Sequence, residues 1–371
     1  MGKISNLFKA LSGMIGFKNL SSESREVTFY SEGKNYWPHL KGLVLSTLEN
    51  TDTSVCYVSS SLDDPGLQLK HPRLQTFFIG AGFIRDYFFQ TLETKAMVMT
   101  MPDLNNYQVK KSGNDTHYIY VQHSLVSLHM IYRHKAFDHF DTICCSGTHH
   151  VKEVRAIERK YNLPSRNILE LGYSRLDSLI NNKAESAPSI DTNTHVLIAP
   201  SWGPEGLIES GLCMQVVDDL ISNGYKVTLR PHPQTTKFAS ANVKSIVDKY
   251  ISNELFSFED NVAGENSLYK SNVMISDWSG AALEYALGLN KPVIFCDVPR
   301  KVNNPNYQDI PLEPIEVSIR DQVGIIWDGI SPISESIPSL LDGPNLQKLT
   351  NDNVFNCGYS DKIFADFIKE I

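Results

Sequence analysis

The groups with the most chemistry in this chain fall in short runs. Arg230-Pro231-His232-Pro233 sets a guanidinium and an imidazole two residues apart, and a proline on each side of His232 restricts its backbone. In residues 273–299, apolar Val273, Met274 and Ile275 lead into Ser276-Asp277, Ser279-Gly280 opens an amphipathic segment, and residues 292–296 read as a second buried strand. Ser279 is a candidate N-cap. Ala282, Leu283, Ala286, Leu287 and Leu289 recur at helical spacing, and Gly288 and Pro292 mark the end. A helix starting at Ser279 points free backbone N–H groups beyond the first strand, an arrangement that favours phosphate. Glu284 is expected on the solvent side of that helix, where it would accept from a ribose hydroxyl of a bound nucleotide. Any parallel α/β unit with a capped helix gives the same pattern, so this run alone leaves the nucleotide reading open.

Pro200-Ser201-Trp202-Gly203 follows another strand, so three strand ends should meet at one cleft edge. A guanidinium, an imidazole and a helix N-terminus together make a diphosphate clamp. Taken alone, Arg230-Pro231-His232-Pro233 is equally a rigid basic turn; its coincidence with the Ser279 helix start favours function. In the first half, seven of the eleven histidines lie between His117 and His150. Their spacing makes no metal site: there is no H-E-x-x-H, and His149 and His150 are adjacent and diverge. His123 stands apart because it follows the strand at residues 118–121, at the carboxyl end where α/β sheets place working residues. Gly80-Ala81-Gly82, with Asp103 downstream, begins a dinucleotide fingerprint, but Arg85 occupies the third glycine position, so the glycines read as tight-turn residues.

The elements that would position these groups alternate throughout. Strands are expected at 27–30, 54–59, 74–79, 96–101, 118–121, 142–145 and 169–173, with helices at 37–48, 83–92, 148–161 and 174–182. After a polar stretch at 181–194, which reads as an interdomain linker, strands at 196–199 and 226–229 alternate with helices at 207–223 and 236–250. The run at 273 follows, and an apolar-periodic helix closes the chain at 361–371. Two Rossmann-like α/β domains facing a cleft are expected, residues 21–183 on the acceptor side and 195–371 on the nucleotide-donor side, with the last helix a candidate to cross back.

A chain of 371 residues suits two such domains. Its 34 basic against 42 acidic residues argue against a dedicated nucleic-acid binder. The six cysteines form no C-x-x-C pair and sit mostly in apolar runs, as buried thiols in a reducing compartment do. With no long apolar run and no signal peptide, the expected location is the cytoplasm. In residues 1–20, Ile4, Leu7, Phe8, Leu11, Met14, Ile15 and Phe17 recur at helical spacing with only Lys3, Lys9 and Lys18 charged. That is the pattern of a helix on an anionic membrane surface, or of one packed on the domain.

Gly172-Tyr173-Ser174-Arg175-Leu176-Asp177, Ala199-Pro200-Ser201-Trp202, Arg230-Pro231-His232-Pro233 and Ser276-Asp277-Trp278-Ser279-Gly280 with Glu284 together resemble the CDP-glycerol glycerophosphotransferase family. These are the primases and polymerases of teichoic acids and their capsule-associated relatives, and the resemblance spans residues 118–297. It implies a GT-B fold, a cytoplasmic enzyme peripheral to the membrane, and transfer of a polyol phosphate from a CDP-activated donor to a hydroxyl of a polymer or lipid-linked glycan, with CMP leaving. By the same resemblance His123 is the candidate base, and His232 lies near the donor phosphates. Ser279 and Gly280 match paired small residues at the donor helix, Glu284 matches an acidic position on it, and Arg230, Ser201, Trp202 and Asp277 complete the donor side. Ser124 and Leu125 stand where the family usually has glycine and threonine, Gly280 where it has a second serine, and Ser174 where it has proline. The altered acceptor-side motif leaves the acceptor's identity open. No Asp-x-Asp pair offers a metal clamp, so no cofactor is firmly implied, and any Mg²⁺ would act on the donor diphosphate.

Two other functions fit the same residues. A GT-B glycosyltransferase or epimerase using a nucleotide sugar would need the same clamp, with more room and polar side chains beyond the diphosphate. A non-catalytic nucleotide-binding scaffold is disfavoured by the joint presence of His123, Arg230, His232 and Glu284.

Overall fold

The computed structural model describes residues 2–107, 109–185, 193–261, 264–343 and 345–371. Within them, strands β1 (Val27–Ser31), β2 (Val55–Ser59), β3 (Leu74–Phe78), β4 (Ala96–Met99), β5 (His117–Tyr120), β6 (Thr142–Cys145) and β7 (Asn167–Glu170) form the first sheet. Strands β8 (His195–Ile198), β9 (Lys226–Leu229), β10 (Phe256–Phe258), β11 (Val273–Ser276), β12 (Val293–Cys296) and β13 (Gly324–Trp327) form the second. The orders are β3-β2-β1-β4-β5-β6-β7 and β10-β9-β8-β11-β12-β13, and every pairing is parallel. Each order reverses once, between β1 and β4 and between β8 and β11, and the carboxyl ends of strands at such a reversal open onto a crevice. Helices cover both faces, which is why the central strands are buried at every residue and read as unbroken apolar runs.

Some elements differ from the sequence pattern. The helix expected at 207–223 begins only at Leu212, because Gly211 takes a left-handed conformation after a turn whose Leu207 N–H is bound by Asp277. The segment expected as one helix at 236–250 breaks at Ala239 into Pro233–Phe238 and Ser240–Tyr250. β10 and β13 were not expected. β10 has three residues, too few to show a period, and β13 opens on a glycine whose Cβ would strike the Val293 carbonyl of β12. Residues 181–185 of the expected linker continue the helix Ser174–Glu185, and 186–192 lie outside the described residues.

Both ends of the chain pack on the first sheet's side of the molecule. The last helix, Ser360–Glu370, does cross back: Phe364 and Ile368 are buried among Phe29, Leu40, Leu43 and Val44. Asp177 accepts from the backbone N–H groups of Gly358 (2.7 Å) and Ser360 (2.9 Å) and so anchors the start of that helix. At the other end, the helix Gly2–Lys18 seats Ala10, Met14 and Phe17 in the first core, while Ile4, Leu7, Phe8, Leu11 and Ile15 face outward. The apolar stripe of the sequence is thus two faces, one packed and one exposed. Among the described residues no helix is long and apolar enough to cross a membrane.

Candidate functional site

The site forms where the carboxyl ends of β8, β9, β11 and β12 face the loop after β5. His123 follows β5, and its Nδ1 lies 3.0 Å from the Thr100 carbonyl at the end of β4. A carbonyl oxygen only accepts, so Nδ1 carries the proton and Nε2 keeps its lone pair. Tyr36 and Tyr132 pack edge-on against the ring at 5.8 and 5.7 Å, and His39 lies at 6.1 Å. Burial, opposed by the bond to Thr100, holds His123 down to about 4, so the imidazole is neutral at ordinary pH.

His232 is wired the other way. It caps the helix Pro233–Phe238, and its Nδ1 accepts from the Gln234 N–H at 3.1 Å. Nδ1 therefore bears no proton, and in the neutral ring the proton sits on Nε2, which can only donate. Burial, with the charge of Lys301 and the neighbouring His123, lowers His232 to about 3. The Trp202 ring stacks on it at 6.1 Å. One imidazole thus offers a lone pair and the other an N–H. Arg230 is buried directly after β9, and burial lowers its pKa against the opposing carboxylates of Glu259, Glu284 and Glu265.

The helix Gly280–Leu289 starts as expected: Ser279 is the N-cap, and its Oγ accepts from the Ala281 N–H at 3.3 Å. This helix start meets the loop after His123, because a Cβ on Gly280 would collide with Ser124 Oγ. The residue after the first histidine and the opening of the second unit's helix are therefore in contact. Farther along the same loop, Ser127 donates through both N and Oγ (2.8 and 2.6 Å) to the carboxylate of Glu316, on the short helix Ile315–Ser318.

Two of the expected ligand residues are occupied within the protein. Asp277 is buried, with one carboxylate oxygen accepting from Ser201 N–H at 2.6 Å and the other from Leu207 N–H at 3.2 Å. It shapes the turn that presents Trp202. Glu284 is not on a solvent face as expected; it is only 6% exposed. The helix Gly280–Leu289 is buried at every residue from Ala282 to Leu289, so its apolar stripe did not define an outer side. Glu284 Oε1 accepts from Tyr173 Oη at 2.7 Å and Oε2 from Arg175 Nε at 2.8 Å. Since Tyr173 spends its proton there, the contact of its oxygen with His39 Nδ1 (3.0 Å) requires His39 to donate. Tyr173 and Arg175 belong to the Gly172–Asp177 motif, so these two motifs meet in space as a buried link between the units.

Reading the sequence alone missed His39 and Lys301. His39 lies in the first turn of a helix with nothing near it in sequence to suggest a role. Lys301 follows β12 in a loop rich in proline and asparagine, and its Nζ stands 4.7 Å from the centre of the Trp202 ring. Among the described residues no group of three or more His, Cys, Asp or Glu side chains could hold a metal ion, and Asp277 has both carboxylate oxygens engaged by backbone N–H groups.

A search of curated proteins finds no match to this chain. Among solved structures it resembles the wall teichoic acid polymerase TagF at 14% identity, covering 99% of this chain and 97% of that one with a TM-score of 0.63. It also resembles Methanocaldococcus jannaschii UDP-GlcNAc 2-epimerase in complex with UDP-GlcNAc and UDP (12% identity, 93% and 99% covered, TM-score 0.61). A third likeness is to S. aureus MnaA with UDP (11% identity, 93% and 96% covered, TM-score 0.61). At such identities the likeness fixes the fold, which is GT-B: two parallel-sheet Rossmann-like units. The model of the family described as CDP-Glycerol:Poly(glycerophosphate) glycerophosphotransferase matches residues 83–301, more than half of the chain.

Proposed function

Since the chain belongs to the CDP-glycerol:poly(glycerophosphate) glycerophosphotransferase family, we propose that it transfers glycerol phosphate, or a related polyol phosphate, from a CDP-activated donor to a hydroxyl of a cell-surface glycan or lipid-linked acceptor. The observation that carries this reading is the pair of oppositely wired imidazoles, His123 from the first unit and His232 from the second. An acceptor hydroxyl attacks the phosphorus bearing the polyol. Its proton passes to His123 Nε2, the P–O bond to the CMP phosphate breaks, and CMP leaves with the electron pair. His232 Nε2–H and the N–H groups after Ser279 meet the charge on the phosphate oxygens, work that needs fixed donors more than covalent chemistry. Residues 21–183 hold the acceptor and residues 195–371 the donor in this reading, with Arg230 and the Trp202 turn on the donor side.

The proposed workplace is the cytoplasmic face of a membrane. The outward face of the helix Gly2–Lys18 supports it, with Ile4 and Phe8 each 66% exposed beside Lys9. Lys18 and Tyr87 link that face to Phe83, itself 82% exposed. Apolar side chains flanked by lysines suit anionic lipid. Co-sedimentation with phosphatidylglycerol vesicles tests this: Leu7→Glu with Phe8→Glu should abolish binding, and retention by the double variant would refute the assignment.

A calorimetric donor panel of CDP-glycerol, CDP-ribitol, CMP and UDP-sugars tests the activity. Binding confined to CDP-polyols and CMP, and lost in Arg230→Ala, is expected. Binding of a UDP-sugar with no response to CDP-glycerol would return the chain to the nucleotide-sugar reading.

A further inference from the structure

A fourth strand end reaches the site, and the loop after it carries an ammonium group. Lys301 follows β12, is partly buried, and directs Nζ over the Trp202 ring that stacks on His232. Among the described residues Nζ makes no hydrogen bond and no ion pair. The carboxylates that act on it through space are Asp277 and Glu209. Both oxygens of Asp277 are held by backbone N–H groups, and Glu209 Oε1 takes the Thr235 hydroxyl at 2.7 Å.

Lys291 shows what a structural lysine looks like in this protein. Burial lowers both ammonium groups to about 8, but Lys291 donates to three carbonyls, those of Leu268, Tyr269 and Ser271, at 3.1, 2.7 and 2.6 Å. All three of its protons are used. Lys301 has the same three protons and, partly buried, commits none of them to a protein oxygen, so they are available to a ligand. The surrounding groups say which ligand. Neutral His232 offers an N–H and the helix at Ser279 offers backbone N–H groups, neither of them a formal charge, so the ammonium adds a second cation to the Arg230 guanidinium for an anion of more than one charge.

We propose that Lys301 is a donor-binding residue whose ammonium pairs with the phosphate oxygens of a nucleoside diphosphate held between Trp202, His232 and the Ser279 helix start. The proposal rests on the nucleotide-dependent reading above and extends it to a residue outside the motifs that carry that reading.

The test compares Lys301→Met, which keeps the length and apolar stem, with Lys301→Arg, which keeps the charge. CDP and UDP are titrated by calorimetry at pH 7 and pH 9, and melting temperatures check the fold. Lys301→Met should weaken nucleoside diphosphate about tenfold or more, and Lys301→Arg should stay within a few fold of the parent. The parent's affinity should fall from pH 7 to pH 9 as the ammonium loses its proton, while that of Lys301→Met stays flat. Unchanged affinity in Lys301→Met overturns the proposal, as does an arginine variant as weak as the methionine one. If the parent binds UDP and not CDP, the donor assignment above fails while Lys301 is still judged on UDP. If the parent binds neither, both fall.

Discussion

At the residue scale the proposed transfer depends on which nitrogen of each histidine is free. His123 gives its Nδ1 proton to Thr100, and burial keeps it neutral down to about pH 4. A base must be unprotonated, so kcat/KM should stay level as pH falls from neutrality to about 5 and drop only as His123 titrates near 4. An acid limb at the ordinary histidine value of 6.5 would mean that another group is the base. His123→Ala should cost about 10²–10⁴-fold in kcat and leave donor affinity intact. His232→Ala should cost at least as much, because positioning and charge stabilisation dominate phosphoryl-type transfer. It also removes a helix cap, a loss of about 0.5–2 kcal/mol. His232→Asn, which keeps an acceptor for Gln234, separates the two effects: a melting temperature restored without activity is expected, and recovery of both would reduce His232 to a cap. Both histidines were expected from the sequence, His123 from its place after the strand at 118–121 and His232 from the Arg230-Pro231-His232-Pro233 run together with the Ser279 helix start. Glu284 was legible as a residue and misplaced as a surface, because its partners Tyr173 and Arg175 lie more than a hundred positions away in sequence. Lys301 was not legible, since only the fold brings it to Trp202.

At the scale of elements, two contacts hold the loop after His123 against the second unit. The first is Gly280 against Ser124. Gly280→Ala would push the Ser124 hydroxyl aside and is expected to lower kcat/KM up to about tenfold, at the small end of overpacking costs. Adding Ser124→Gly should restore it, and a double variant no better than Gly280→Ala alone would contradict the contact. The sequence shows both residues as departures from the family pattern; only the structure shows that they touch. The second contact is the Glu316 carboxylate on Ser127. Burial raises this carboxyl from 4.5 to about 7, against the opposing bonds from Ser127. The folded chain therefore holds the proton more tightly than the unfolded one. That stabilisation is complete below pH 4.5 and is lost as pH rises through about 7. Glu316→Gln does not titrate, so in denaturant unfolding it should gain on the parent between pH 5 and pH 8. A constant difference, or one of opposite sign, would contradict the buried clasp. Nothing in the run Pro314-Ile315-Glu316-Val317 foretold this contact, since a four-residue helix has no readable period.

At the scale of the whole molecule, the βα alternation was enough to read two parallel sheets, because strands buried on both faces appear as unbroken apolar runs. What the alternation could not show is how the ends of the chain are used. The helix Ser360–Glu370 follows the second sheet in sequence and completes the core beside the first, through Phe364 and Ile368. Ending the chain at residue 359 should therefore lower the melting temperature of the first unit and expose its core. A truncated protein that melts like the parent would refute that strap. The helix Gly2–Lys18, in turn, showed its apolar residues in sequence but not which of them the first core would claim. These features surround the place proposed for polyol-phosphate transfer, between His123 and His232. The most direct measurement is CMP release from CDP-glycerol, followed together with glycerol phosphate gained by a teichoic-acid-type acceptor. One CMP is expected for each glycerol phosphate transferred, with both lost in His123→Ala. Epimerisation of UDP-GlcNAc, with no CMP formed from CDP-glycerol, would contradict it.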